Sequence, residues 1–549
     1  MSASRAGAAL AASASAAGSS VAANLPPLLR ERQGLRLFIS PDQIDFLQSA
    51  PIIVQHARNG GQVRRLRTIY YDTPDHILSG KGFSLRVQRQ GKHFTQKLKQ
   101  HGARQNPAPP MVWESLVTDE TPDLACLADA PAEWISAPLL ERLAAMPLQA
   151  VFETRIRRQI RRLAVSGALI DLSIDDGFIE AGSRQESLSE LNLFLQAGEA
   201  SVLYDLGMRL LELAPLRVST VSKVARGYAL ASNTVIKAEK AGASTLTPAF
   251  AVDDMIAAIL GGCQAHLQAN QMVAENGSSP DGVHQMRVAL RRLRSALSLL
   301  RRELPSSSMQ TLGSEAKWAA DQLGAARSWD VFLLTTLEAP SRWQSPGADF
   351  KALRQAAEIP RAAGYATVRN MIESARYGQF QLSLSQWIIR RGWRNEVDRD
   401  GLGVLAEPAS MMATRVLARL HRKALKQGRH FKQLSAPERH ELRITLKKLR
   451  YASEFFLPLF DETVQVPRHI KRLSSLQEAL GQDHDAATTQ PLLEELGALS
   501  RSPAVHQAIG LVTGWQTRDI LANRETLAEQ WLRFKGLRPF WTGPVHASS

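Results

Sequence analysis

Cysteine is nearly absent. Cys126 and Cys263 are the two in 549 residues, too few and too far apart for a disulfide framework or a cysteine-ligated metal centre, and a reducing compartment fits that usage. Long apolar runs are missing too: no stretch of about eighteen uninterrupted apolar residues occurs, so no membrane-spanning helix is expected. Acids are the third shortage, with 52 Asp and Glu against 67 Lys and Arg and a formal net charge of +15. That imbalance points to an anionic partner: nucleic acid, a membrane surface or another polyanion. The Ala- and Ser-rich start, MSASRAGAALAASASAAGSS, lacks the Leu-rich core and basic flank of an export signal. It reads as a flexible tail, residues 1–30, of a cytoplasmic protein.

A chain of this length exceeds what one core serves, and its texture divides it. From about 31 to 235, short β-like runs such as LRLFI, RTIYYD, FSLRVQ, HFTQKLK, MVWESLV and ALIDLSI alternate with Gly, Pro and Asp turns, which implies an antiparallel sheet or barrel. A small and polar stretch, 236–250, reads as a linker. From 251 to 540 the periodicity becomes that of long helices. The expected fold is therefore α+β in two domains, an antiparallel β-barrel or tunnel followed by an all-α bundle.

The helical half repeats itself. HQMRVALRRLR at 284–294 returns as HELRITLKKLR at 440–450, each preceded by a histidine (His266, His421) and followed by a glycine phrase, DQLGAARSWD or QEALGQDHD. Two matching units of about 150 residues build this half. At about 100° per residue, His284, Arg287, Arg291 and Arg294 share one edge of a helix while Met286, Leu290, Leu293 and Leu297 share another. His440, Arg443, Lys447 and Arg450 repeat the charged edge, and Leu442, Leu446 and Leu449 the apolar one. A solvated helix mixes signs, because like charges at i, i+4 repel by a few tenths of a kcal/mol. Both copies omit the acids on this edge, so an anion with many charges is expected to neutralise it.

Arginine forks, lysine point charges and titratable histidine suit phosphate oxygens. Interleaved aromatics or Asn and Gln at base-reading positions are missing, so nucleic acid is expected only as a weak electrostatic competitor. Lys317, Arg327, Arg415, His421 and Lys471, at related places in the repeats, join the candidate surface. If His284 and His440 bind as cations, affinity would fall as pH rises through roughly 6 to 7.

VHQMRVALRRLRSALSLL and RHELRITLKKLRYASEFF resemble the two signature helices of the CHAD family, the conserved-histidine α-helical domains, over about 252–535. The resemblance implies two pseudo-symmetric bundles whose basic helices face a shared groove and bind inorganic polyphosphate; for some members it implies a place on polyphosphate or polyhydroxyalkanoate granules. ARSWD departs from the R-D-x-D often found there, with Ser328 and Trp329, but keeps Arg327 and Asp330. The β-rich half resembles the CYTH family of triphosphate tunnel proteins through TIYYDTP, GFSLRV, KLK, FETRIRR, IDLSIDDG and VSKVARGY. By position it implies Arg86, Lys99, Arg158 and Lys223 as phosphate contacts in an eight-stranded tunnel.

The acids of that family match poorly. RQGLRLF replaces E-x-E-x-K, with Arg36 in place of the lysine, and the later acidic triad reads Glu190, Asn192 and Phe194. Glu114 stands without the arginine of its R-x-E strand. Asp171, Asp175 and Glu190 remain as candidate metal ligands. No catalytic residue is assigned. The expected function is polyphosphate binding, needing no cofactor, beside a degenerate, weak or inactive tunnel. The alternatives are a Mg²⁺- or Mn²⁺-dependent inorganic triphosphatase and a granule-associated adaptor.

Overall fold

The computed structural model describes residues 29–30, 33–101, 111–343, 345–460 and 465–542. All but the last two residues of the expected tail lie outside them. The described chain forms two compact units, one holding the residues up to Glu199 together with Ser222–Thr234, the other holding Ala200–Val221 and everything from Val235 onward. The segment Ala200–Val221, read from sequence as part of the β-rich half, thus belongs to the helical unit. Its helix Ser201–Leu211 is apolar on both sides, burying Val202, Leu203, Leu206, Leu210 and Leu211, and packs on the helix Ala375–Ile389.

In the first unit the strands are β1 (Leu29–Arg30), β2 (Gly34–Phe38), β3 (Gln62–Asp72), β4 (Phe83–Gln90), β5 (His93–Gln100), β6 (Met111–Val117), β7 (Gln149–Val165), β8 (Ala168–Ala181) and β9 (Arg184–Ala197). Each of the six β-like runs falls on one of them. They pair antiparallel in the order β1-β6-β5-β4-β3-β7-β8-β9-β2. Arg30 and Gly34 lie near opposite ends of this order yet are four residues apart in the chain, so covalent reach keeps them within about 14 Å. Nine strands laid flat would span roughly 38 Å. The sheet must therefore curl into a trough; among the described residues β1 and β2 are not paired with each other, so the barrel expected from sequence is curled but not closed.

Strand register then decides which residues line that trough. Cross-strand partners share a face, and Arg86 pairs with Tyr70 and Lys97, Ser84 with Lys99, Arg158 with Asp175, and Asp175 with Glu190. Following the alternation puts Arg36, Arg86, Lys97, Lys99, Arg158, Asp171, Asp175 and Glu190 on one face. Ile69, Leu85, Val87, Leu98 and Trp113 point the other way into an apolar core closed by the short helices Leu124–Leu127 and Ala137–Ala145. At one end of the polar face the helix Lys223–Ser232 packs on Tyr70, Phe152, Ile156 and Leu188, where Tyr70 and Phe152 stack at 4.3 Å. Gly227 makes this seat possible, since a Cβ there would come within 2.2 Å of the Phe152 ring.

The second unit is helical. Its two signature helices, Pro280–Glu303 and Ala436–Phe456, begin alike: Ser279 and Ser435 cap them, each with a proline in the first turn, and Glu438 completes a capping box with Ser435. Met286, Leu290, Leu293, Leu297, Leu442, Leu446 and Leu449 are all buried in one core, as the wheel required. The helices Val252–Asn276 and Ala409–Gln427 start side by side. The Val252 amide donates to the Glu407 carbonyl at 2.9 Å, and the Ala409 amide donates to the Phe250 carbonyl at 2.9 Å. This reciprocal pair ties the starts of the two helices together. The stretch 236–250 has no regular secondary structure but is no free linker, because Glu239 is tied by two hydrogen bonds to the Asn270 amide side chain and Leu246 is buried in the helical core.

Leu293→Ala should cost about 2–5 kcal/mol, since its buried site is rimmed by helices on both sides and cannot collapse freely. Denaturant unfolding followed by helical ellipticity checks it; a loss below about 1 kcal/mol would contradict the packing described.

Candidate anion-binding sites

Two cation-rich surfaces stand out, one in each unit. On the polar face of the sheet, Asp175 is completely buried and receives a bidentate pair from Arg158, Nε to Oδ1 at 2.6 Å and Nη2 to Oδ2 at 2.7 Å, with Lys223 Nζ donating to Oδ2 as well. Burial raises its pKa, but the charges and hydrogen bonds of Lys223 and Arg158 outweigh that and hold it at about 2. Glu190, also completely buried, lies 3.3 Å from Lys223, 3.5 Å from Arg226 and 3.7 Å from Arg36. Arg226 is itself buried and donates to Glu186 at 2.8 Å and to the Ser187 carbonyl at 2.7 Å. Arg86 sits further along, 3.5 Å from the Tyr70 hydroxyl, with its Nε buried and unpartnered. Lys97 pairs with Glu114 at 2.7 Å, and Lys99 lies on the same face.

The structure thus gathers Arg158 and Lys223 with Asp175 and Glu190. Asp171 stands apart, accepting from Arg162 at 2.8 Å and Gln196 at 2.5 Å. Among the described residues no group of three His, Cys, Asp or Glu is placed to hold a metal ion. The oxygens of Asp175 and Glu190 are engaged as counter-ions to arginine and lysine, which does not fit the near-octahedral oxygen shell of Mg²⁺. No step through a metal follows from this donor set.

On the first signature helix the geometry is different, because acids are scarce. Arg287 reaches the C-terminal end of the helix Ser307–Gln322, where its Nη1 donates to the Ala320 carbonyl at 2.7 Å; its Nε is buried without a partner. Burial, followed by the charges of Arg291 and Arg327, pulls its pKa down to about 10. Burial, Arg327 and Arg291 likewise push His284 down to about 4, so it is neutral at pH 7. Asp330, fully buried, anchors the segment carrying Arg327 by accepting from Arg361 at 2.8 Å and the Tyr365 hydroxyl at 2.9 Å. His284, Arg287, Arg291 and Arg327 therefore form one electropositive cluster, and Arg291 has no hydrogen bond or ion pair among the described residues. In the free protein burial, with the charges of Arg327 and Arg291, leaves His284 uncharged near neutral pH.

The second copy is only partly equivalent. Arg443 and Lys447 are half-buried and His440 exposed on the helix Ala436–Phe456. Arg450, unlike Arg294, is neutralised: it donates to Gln477 at 2.9 Å and to Glu454 at 2.8 Å. Lys317 and Arg415, two further sequence candidates, are paired with acids. Lys317 pairs with Asp321 at 2.7 Å on an exposed turn, and Arg415 with Glu407 at 2.8 Å. His421 is no surface ligand; it is buried between the rings of Phe534 and Trp541, and burial lowers its pKa. Lys471 is exposed on Gln465–Leu499. Sequence reasoning passed over Arg226, which the i, i+3 spacing from Lys223 in VSKVARGY puts on the same helix face, and Arg292 and Glu454, whose roles depend on helix packing.

The comparisons with known proteins find the same two halves in the same order, with the CYTH match extending through Ala200–Val221. The CYTH domain model matches residues 54–228 and the CHAD domain model residues 258–494. An inorganic triphosphatase of Haemophilus influenzae is 29% identical over 169 residues, 30% of this chain and 46% of that protein, so the chain spans about half the length of this curated relative. The crystal structure of the CHAD domain from the plant Ricinus communis is 28% identical and covers 55% of this chain and 98% of its own, with a TM-score of 0.48. A putative adenylyl cyclase from Hippeastrum, reported to show a dominant triphosphatase activity, is 16% identical over 37% of this chain and 96% of its own, at a TM-score of 0.24. With both models matched in this order on the units that carry these two surfaces, the chain is a CYTH-domain and CHAD-domain protein.

Proposed function

We propose that this protein binds inorganic polyphosphate through the basic edges of its CHAD helices, and that its CYTH trough binds short polyphosphates with little or no hydrolysis. The observation that carries the first part is the cluster of His284 with Arg287, Arg291 and Arg327, where the charges of Asp281, Asp321 and Asp330 act on the group but Arg291 has no hydrogen bond or ion pair among the described residues. Like charges held partly out of water repel, and that repulsion is relieved when a multivalent anion enters. Phosphate oxygens fit the arginine forks, and the chain of negative charge fits the length of the edge. Protonation of His284 is not needed for this, since the neutral ring still donates one N–H. Such a receptor works on free polyphosphate in the cytoplasm or on granules that display it; binding itself calls for no cofactor.

For the trough, Arg36, Arg86, Lys99, Arg158 and Lys223 supply donors for phosphate, while the carboxylates that a metal would need are turned to Arg158, Lys223, Arg36 and Arg226. Phosphoryl transfer relies on charge neutralisation at the transferring group, usually by Mg²⁺. A trough that uses its acids as internal counter-ions binds better than it turns over. The second reading, a Mg²⁺- or Mn²⁺-dependent inorganic triphosphatase using Asp171, Asp175 and Glu190, is favoured by the 29% identity to an inorganic triphosphatase.

Purified protein should hydrolyse tripolyphosphate with Mg²⁺ or Mn²⁺ barely above background, measured as released phosphate. Robust turnover that disappears in Asp171→Ala or Glu190→Ala would establish the second reading in its place.

Binding of long polyphosphate should weaken steeply with salt, as counterions are released from both partners. It should also depend on pH through His284. Its pKa is about 4 in the free protein, and a bound phosphate raises it, so the complex takes up protons. Affinity therefore grows as pH falls below the raised value and stops growing near 4, below which both states are protonated. His284→Gln should flatten that rise in a titration series from about pH 7 to roughly 4.5; an unchanged slope would remove His284 from contact with the anion.

A further inference from the structure

On the face of the sheet turned away from the trough lies a second group of cations, which polyphosphate binding leaves unused. Arg65 and Arg157 stand directly opposite each other on β3 and β7. Like charges placed across a strand pair repel. Asp176 faces Arg157 from β8, yet neither Arg65 nor Arg157 forms a hydrogen bond or ion pair among the described residues. Parity along β7 puts Arg161 on this outer face as well, with Arg158 of the trough on the other.

Arg157 and Arg161 border a cavity of about 240 Å³. Its far wall is made by the short helices Ile44–Ser49 and Pro51–His56 and the loop that follows them. That loop is fastened to β7: Ala57 bridges Leu163, the Arg58 amide donates to the Arg162 carbonyl at 2.8 Å, and the Arg162 amide donates to Asn59 Oδ1 at 3.1 Å. Gly61, at φ 84°, turns the chain into β3, and a Cβ there would come within 3.3 Å of Arg161 Nε. Arg161 Nη1 donates to the Gln48 carbonyl at 2.9 Å, which ties the first of the two helices to the strand. The cavity is therefore built on fixed elements. Gln48 also lines it, and its side-chain Nε2 is buried without a hydrogen-bond partner. A donor withheld from water with no acceptor costs about 1–3 kcal/mol, which an incoming oxygen would recover.

The lining selects the occupant. Four residues of strand separate Arg157 from Arg161 by about 13 Å. Ile174, paired with Gln159 midway between them, and Leu172, paired with Arg161, are buried and apolar, and Ile53 joins them from the helix side. A chain charged along its whole length would press charge against that apolar stretch. The volume also falls below the roughly 300–1,000 Å³ of sites for drug-sized ligands. A small body of methylenes with an anion at each end meets both conditions. We infer that this cavity binds a short aliphatic dicarboxylate, one carboxylate held by Arg157, the other by Arg161 and the Gln48 amide, with the methylenes against Ile174 and Leu172. The site is independent of the polyphosphate reading, since it uses none of the same residues.

The test is calorimetric titration of the full chain with succinate, glutarate and adipate, and with acetate and inorganic phosphate as compact anions, at one pH and ionic strength. At least one dicarboxylate should bind once per chain, at least roughly tenfold more tightly than acetate or phosphate. Arg157→Gln should weaken it about tenfold or more, with helical ellipticity unchanged because Arg157 is exposed. Gln48→Leu, which leaves the backbone carbonyl for Arg161, should weaken it roughly severalfold. Saturating tripolyphosphate at matched ionic strength should leave the dicarboxylate affinity unchanged, because the trough is on the opposite face of the sheet. No dicarboxylate binding, equal affinity for acetate or phosphate, displacement by tripolyphosphate, or binding unaltered in Arg157→Gln would each overturn the site.

Discussion

Repulsion among cations that packing will not let separate is the interaction on which much of this molecule turns. Leu290, Leu293 and Leu297 lock the first signature helix into the core, Asp330 ties the segment carrying Arg327 to Arg361 and Tyr365, and Arg287 donates to the Ala320 carbonyl. With these backbones fixed, His284, Arg287, Arg291 and Arg327 cannot spread apart, and burial denies them full hydration. Burial first, and the neighbouring arginines second, lower the pKa values of His284 and Arg287. Apolar burial stabilises the helices enough to sustain the repulsion.

The CYTH trough resolves a similar excess of positive charge in the opposite way. There Asp175 and Glu190 are buried among Arg158, Lys223, Arg226 and Arg36, and each carboxylate is shared by more than one cation. A buried charge without a partner would be costly, and these cations supply the partners, although Glu190 Oε2 accepts no hydrogen bond and is held by charge alone. In the trough the acids are internal counter-ions to the cations, whereas at the His284 cluster Arg291 has no hydrogen bond or ion pair among the described residues.

Parity along the strands and periodicity along the helices made much of the site legible in the sequence. A strand alternates by two and a helix by 3.6, so Arg86, Lys99, Arg158, Asp175 and Glu190 share a sheet face, and His284, Arg287 and Arg291 a helix edge, by local geometry alone. The families' motifs sat on those same positions. Arg226 was within reach of this logic, one turn beyond Lys223, whereas Glu454 was not: its significance arises from Arg292, 162 positions earlier.

What the sequence by itself determined is thus everything set by short-range periodicity: the β-rich and helical halves, the repeat, the capped starts of both signature helices, the buried leucine stripes and the cationic edges. Only the tertiary structure decided how those elements neutralise one another. It put His421 between aromatic rings, gave Arg415 and Lys317 acidic partners, turned Asp175 and Glu190 into counter-ions, left the curled sheet open, and joined the two signature helices through the Arg292–Glu454 pair. The physical reason is that charge compensation and burial depend on distance in space, and residues that meet across a fold leave no periodic trace along the chain.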